Sequence, residues 1–321
     1  PICRHTLLED YGGDFTKFPI TEASFSVRGR KGVGVVPPMD PNTQDTSLLI
    51  GSEDISKLDL YPEDDPRVLS LNGAFNVGNR GIVEFVEVFK NEIEFLHTMI
   101  TATQEKSVPS PGKQAMIYFD GVILAHCNEA EWNQFKSEHT NEAILDRIVR
   151  VNIPYCLEVD QEVKIYKKLI DRSDFDSHIA PHTLQVAAMF SILTRLKPSN
   201  KVDPLTKMKI YNGEEIVEKG LIKKVDIRDL REEIEDEGMT GISTRFIMKA
   251  IDAALADSTK NMITPISIRE SLIKQVKEQI VNPDERKRCL EFLQKVLHEE
   301  YLSILEKEIT KAFVTAYEEQ A

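Results

Sequence analysis

The chain has 321 residues, room for two or three domains, and 41% of them are hydrophobic, so a sizeable core can form. A net charge of −13 and a pI near 5.1 exclude nucleic acid as the main partner, because phosphate binding needs a basic face. No run approaches the roughly 18 apolar residues of a membrane span, and no signal peptide is seen. Cys3, Cys127, Cys156 and Cys289 lack C-x-x-C spacing, which indicates neither a zinc site nor a disulfide framework and points to the cytoplasm.

Residues 1–60 read as loop-rich. Arg28-Gly29-Arg30-Lys31-Gly32-Val33-Gly34 could cradle phosphate through backbone N–H groups, but reads better as a basic turn before a strand at Val33–Val36. Pro37-Pro38 ends that strand. Leu48–Ile55 is an apolar edge followed by an acidic helix start.

Arg80 and Gly81 then predict a turn, and Ile82–Val86 is an apolar run bounded too tightly to be a helix. It is read as a buried strand of a parallel sheet, delivering Glu87 to the carboxyl end, where open α/β sheets bind ligands. Residues 88–105 predict a helix with Val88, Phe89, Ile93, Leu96, Met99 and Ile100 on one face, and with His97 packed or at the surface. The segment 102–119 reads as a hairpin, with a turn-rich tip at Ser107–Gly112 and a strand at Met116–Phe119. Gly121–Asn128 predicts a second buried strand, and Val149–Ile153 a third, halted by Pro154.

Beyond Tyr155 the pattern is helical. One stripe is Val163, Tyr166, Leu169 and Ile170; another is Leu184, Ala188, Ile192 and Leu196; a third is Ile247, Ile251, Ala254 and Leu255. Residues 198–240 are charged and irregular, and the acidic run Glu232–Glu237 reads as a solvated face. Asn282-Pro283-Asp284-Glu285 opens the last segment with a cap, a proline at the first helical position and first-turn acids, followed by two apolar-striped helices. Both ends, Pro1 and Ala321, read as cuts through a longer protein.

Three strands thus bring polar residues to one rim: Glu87, Asn128 and, just before the third, Arg147. A helical region then presents Arg245. An acid, an amide and two arginines are what phosphoryl transfer requires: the acid sets metal or water, the amide orients the nucleophile, and the arginines stabilise charge on the phosphate. Each also has a structural reading: Asn128 as a helix cap, Arg147 paired with Asp146 or Glu142, Arg245 as a surface arginine. It is their order and spacing that carries the signal.

That order resembles an AAA+ module. Leu49–Ile55, Leu71-Asn72-Gly73-Ala74 and Asn79–Glu87 are similar to the AAA+ branch that includes magnesium chelatases and the MCM helicases, where a comparable passage leads into the Walker B strand. Asn79–Lys90, Thr101–Glu105, Ala125–Glu129, Asn141-Glu142-Ala143, Ile179–Leu184 and Asp236–Ile242 narrow the resemblance to the bacterial PrkA family, described as serine protein kinases built on an AAA+ core. The match runs over most of the chain.

The resemblance implies an α/β fold: the C-terminal half of an AAA+ nucleotide-binding domain over 1–155, an α-helical lid over 156–260 and a further helical segment over 261–321. It makes Glu87 the Walker B acid, Asn128 the sensor-1 residue, Arg147 the arginine finger acting on a neighbouring subunit of a homo-oligomer, and Arg245 the sensor-2 arginine. ATP and Mg²⁺ are the implied cofactors, with Glu87 and Arg245 on the nucleotide and no metal ligand assigned; a protein is the implied substrate. Two departures matter. The position before Glu87, an Asp in most AAA+ proteins, is Val86. No P-loop, G-x-x-x-x-G-K-[ST], is present: Gly112-Lys113 is followed by Gln114 and has Ser107 where the first glycine belongs. In this family the P-loop lies upstream of the matched part, so these residues alone are expected to bind ATP poorly and to be inactive.

Three functions compete. Phosphotransfer to protein serine follows from the family description, although neither H-R-D-x-x-x-x-N nor D-F-G occurs and Asp174-Phe175-Asp176 is a chance echo. A ring ATPase that remodels or degrades proteins fits the four residues directly. A non-catalytic oligomerisation and regulatory scaffold would use the terminal helices 284–320.

Overall fold

The computed structural model describes all residues except 1, 20–21, 39–44, 63–64, 92, 112–114, 174–176, 216, 219–220, 223–225, 235, 257–261 and 319–321. Gly112-Lys113-Gln114 and Asp174-Phe175-Asp176 therefore lie outside the described residues. The chain forms two compact units, Pro1–Arg150 and Val151–Ala321.

The first unit is built on a three-stranded parallel sheet, β1 (Val33–Val36), β2 (Ile82–Phe85) and β3 (Val122–Ala125), with β2 in the centre. Val33 pairs with Ile82, and Ile82 with Val122, so Val36, Val83, Phe85 and Ile123 share one face. That face packs on Phe75, Leu96, Val108 and Phe119, which makes the unit's core. Two single-turn helices, Ser47–Ile50 and Ala74–Val77, lie against it, and Gly34 is the residue that lets the second approach: a Cβ there would stand 2.1 Å from Ala74 O. The central strand is the short apolar run of the sequence, with burial that alternates along it.

Four expectations are corrected. The helix expected over 88–105 begins as a 3₁₀ turn, Val88–Lys90, and becomes helix α1 only at Ile93–Gln104. Gly121–Asn128 is not a buried strand, because β3 is an edge: Val122 and Leu124 are 56% and 52% exposed. Val149–Ile153 forms no strand, and its alternating apolar side chains Val149, Val151 and Ile153 are exposed. A strand is defined by its neighbour, and these residues pair with none of the described strands. A hairpin is present but begins later than expected: residues 102–104 belong to α1, and Ser107–Pro109, expected in the turn, is its first strand, pairing antiparallel with Met116–Tyr118; His97 is exposed. Helix α2 (Glu129–Ser137) and the turn Glu142–Leu145 complete the unit.

The second unit is helical. α3 (Val159–Ile170), α4 (Thr183–Arg195), α5 (Pro204–Tyr211), α6 (Thr244–Ala256), α7 (Pro265–Gln279), α8 (Pro283–Glu291) and α9 (Leu297–Glu318) surround a core with α4 at its centre. Thr183 through Arg195 of α4 are buried with the one exception of Gln185, as a helix apolar on every side must be. Asn282 caps α8 by accepting from the Asp284 and Glu285 N–H groups, as its sequence predicts. Among the described residues of 198–240 two helices stand where the charge pattern predicts irregular chain. Asp203 caps α5 ahead of Pro204, and a further helix runs over Ile227–Glu233.

Candidate active site

The rim at the carboxyl ends of β2 and β3 is built from backbone first. Val86 N–H donates to Val36 O of β1 at 2.9 Å, while Val88 N–H donates to His126 O beyond β3 at 3.1 Å. Glu87, between them, is pulled towards neighbours on both sides and takes a left-handed conformation, φ 49° and ψ 54°. For a residue with a Cβ that costs about 1–3 kcal/mol, and it persists only where flanking bonds over-determine it. The strain turns the Glu87 side chain out of the strand at the rim, where Lys90 Nζ meets its Oε2 at 2.5 Å. Glu84, on the half-exposed face of β2, lies 3.6 Å from His126 Nε2.

Asn128, at the end of β3, caps α2: its Oδ1 accepts the Glu131 N–H at 2.8 Å. The cap and the sensor reading do not exclude one another, since the cap uses only Oδ1 of the amide. Arg147 is exposed and pairs with neither Asp146 nor Glu142; its guanidinium donates to Ala143 O and, at 2.7 Å, to Gln104 Oε1 at the end of α1. Glu87 and Asn128 thus stand at the ends of adjacent strands, and Arg147 is tied to the helix that follows Glu87.

Arg245 belongs to the second unit, exposed on the first turn of α6. The segment leading to it is held by buried charge. Arg195, fully buried at the end of α4, donates to Ile242 O at 3.0 Å, Cys156 O at 2.9 Å and Glu162 Oε1 at 2.8 Å. Gly241 lies on that guanidinium stem with φ +117°, where a Cβ would meet Arg195 Cγ at 2.8 Å. Lys207 Nζ pairs with Glu237 Oε1 at 2.6 Å, and Tyr211 OH donates to Glu237 Oε2 at 2.9 Å. Burial and the Glu237 charge hold the Tyr211 phenol above its ordinary range. The acidic run Glu232–Glu237 is therefore not simply a solvated face, because its last member is a buried ion-pair partner. The Lys207 and Arg195 partnerships span 30 to 47 residues and left no local signal, whereas Lys90, three residues after Glu87, was within reach of the i,i+3 rule.

Among the described residues no group of three His, Cys, Asp or Glu is placed to hold a metal ion. Val86, where an aspartate would stand, is half-buried against β1. Glu87 at the end of β2 fits a Mg²⁺ ion only together with ligands from elsewhere, since Mg²⁺ is ordinarily held by one or two carboxylates with phosphates and water.

The family model of the PrkA AAA domain matches residues 1–203, and that of the PrkA serine protein kinase C-terminal domain matches 205–321. The chain is 39% identical over its whole length to the ATP-dependent protease PrkA of Bacillus subtilis, covering 51% of that protein. It is 37% identical over 97% of its length to the serine/threonine kinase YeaG of Escherichia coli K12, covering 49% of it. The chain thus spans about half the length of the curated relatives it matches. Two crystal structures of NtrX from Brucella abortus, the second in complex with ADP, superpose at TM-scores of 0.37 and 0.36 with 13% and 14% identity; they cover 78% and 86% of this chain and 58% and 59% of theirs.

Proposed function

The chain belongs to the PrkA family, and on that premise we propose that it carries the water-activating half and the lid of an ATP-driven AAA+ machine acting on protein substrates. The observation that supports this most is Glu87, a carboxylate held in left-handed backbone at the end of the central strand, beside Asn128 at the end of the next. In this reading Glu87 polarises the attacking water, Asn128 Nδ2 orients it, and Arg147 reaches the site of a neighbouring subunit. Arg245 of the lid, residues 156–260, senses the phosphates, and 261–321 extends the helical body. The phosphate cradle and the metal site are assigned to a part of the protein outside these residues, so that residues 1–321 alone should hydrolyse no ATP. A homo-oligomer in the cytoplasm is the expected form.

A second reading, phosphotransfer to protein serine, is favoured by the match to the PrkA serine protein kinase C-terminal domain and by the similarity to the Escherichia coli serine/threonine kinase YeaG. One experiment separates the two. The full-length protein is given γ-labelled ATP, Mg²⁺ and a casein-like acceptor, and compared with its Glu87→Gln variant. Free phosphate that the variant loses by about 10²-fold or more supports hydrolysis, in the range expected for a general base. Label on serine that the variant loses supports the kinase. Equal products from both proteins remove Glu87 from the chemistry.

A further inference from the structure

Beneath the Val88–Lys90 turn, between α1 and α2, lies a half-open cavity of about 150 Å³, lined by Phe89, Asn91, Leu96, Glu131, Phe135 and Glu138 among others. Asn91 is only 7% exposed and donates through Nδ2 to Val88 O at 3.1 Å, which presents Oδ1 the other way. That oxygen is buried and has no hydrogen-bond partner among the described residues, and Glu131 Oε2 is in the same condition. Two buried acceptors without donors, one of them on a carboxylate, are costly to leave unmade. Lys90 does not meet the need: it lies 4.0 Å from the other oxygen of Glu131 and is engaged with Glu87 at 2.5 Å. Glu138, whose Oε2 accepts from Asn141 Nδ2 at 3.2 Å, makes the lining more negative.

A metal ion does not suit this set, since the two carboxylates Glu131 and Glu138 with one amide oxygen fall short of its ligand number, and no group of three His, Cys, Asp or Glu able to hold one is found among the described residues. The lining of Phe89, Leu96 and Phe135 beside Glu131 and Glu138 suits a cation that carries several N–H donors on an apolar stem. The space exceeds the roughly 30 Å³ share of one water.

The geometry points to a binding site for a guanidinium group, the head of an arginine presented by another polypeptide. Its N–H groups donate to Asn91 Oδ1 and Glu131 Oε2, and its apolar stem lies against Phe89 and Leu96. The site stands independently of the ATPase reading, since it uses neither Glu87 nor Asn128 directly.

The test is calorimetric titration of the protein of residues 1–321 with propylguanidinium, against propylammonium and the neutral, similarly shaped propylurea. Propylguanidinium should saturate one site, with propylurea at least tenfold weaker and propylammonium in between. Glu131→Gln and Asn91→Leu should each weaken the cation at least tenfold. Glu131→Gln keeps side-chain shape and the N–H that Asn128 accepts, so it preserves the fold if Asn91→Leu does not. Absence of saturation, equal binding of propylurea, or unchanged affinity in both variants overturns the proposal and leaves the cavity to water. The source is read from sedimentation: self-association lost in Glu131→Gln assigns the arginine to a second copy, and self-association unaffected by it, with probe binding still lost, assigns it to a different polypeptide.

Discussion

Replacing Lys207 by Met tests whether the end of the acidic run is structural. In the native protein Lys207 Nζ contacts Glu237 Oε1 at 2.6 Å and Lys197 O at 3.1 Å, and neither charged side chain sees solvent appreciably. Met keeps the apolar stem and removes only the cation, so Glu237 is left buried with the Tyr211 hydroxyl and the Lys197 N–H. Breaking a buried pair from one side costs about 3–5 kcal/mol, a large part of a total near 5–15 kcal/mol. With a urea slope of at most about 3 kcal/mol/M, a loss of 3 kcal/mol lowers the midpoint by about 1 M or more. Urea denaturation of residues 1–321, followed by far-ultraviolet circular dichroism, measures this directly. Lys197→Met, whose ammonium lies 3.9 Å from exposed Asp236, is the control and should leave the midpoint in place. A loss below about 1 kcal/mol for Lys207→Met, the range of surface pairs, would refute the reasoning and return Glu237 to a solvated face.

In the full-length protein, Arg147→Ala should slow turnover by about 10³-fold if it acts as an arginine finger. Mixing that variant with Glu87→Gln should restore activity, because mixed interfaces pair an intact acid with an intact arginine; no restoration in the mixture rules out action across subunits. Glu87→Gly should leave the melting temperature of residues 1–321 unchanged or raised, since glycine takes φ 49° without strain, and a clear fall in melting temperature would show that the left-handed turn is not strained. Arg67 hydrogen-bonds Asp65 through its side chain and backbone N–H and holds its carboxyl at about 2 rather than 3.8. The folded value is the depressed one, so this contribution is present above about 3.8 and is lost as pH falls through 2. Nuclear magnetic resonance titration of Asp65 should show that midpoint, and Arg67→Ala should return it towards 3.8.

Legibility followed the range of the interactions. The β2 strand, the 107–118 hairpin and the caps at Asn282 and Asn128 are written in spacings of a few residues, and the structure has each of them. Glu87 and Asn128 could be named because the end of a strand is read from its local pattern. Val149–Ile153 looked like a strand by alternation, yet alternation fixes only which side chains share a face, not whether a neighbour is there to pair. For the same reason β3 was taken as buried, when Val122 and Leu124 in fact face outward.

The amino-acid order alone predicted the central strand from its local pattern, while the resemblance to the PrkA family supplied the fold class and named the roles of the candidate residues. Tertiary structure alone decided that Glu87 sits in left-handed backbone, set by hydrogen bonds to β1 on one side and to the end of β3 on the other. It also decided that Glu237 is buried against Lys207, and that Asn91 and Glu131 share one cavity. These are pairings across about 30–50 residues of chain. Their partners are chosen by how the elements pack, and no local pattern encodes that choice.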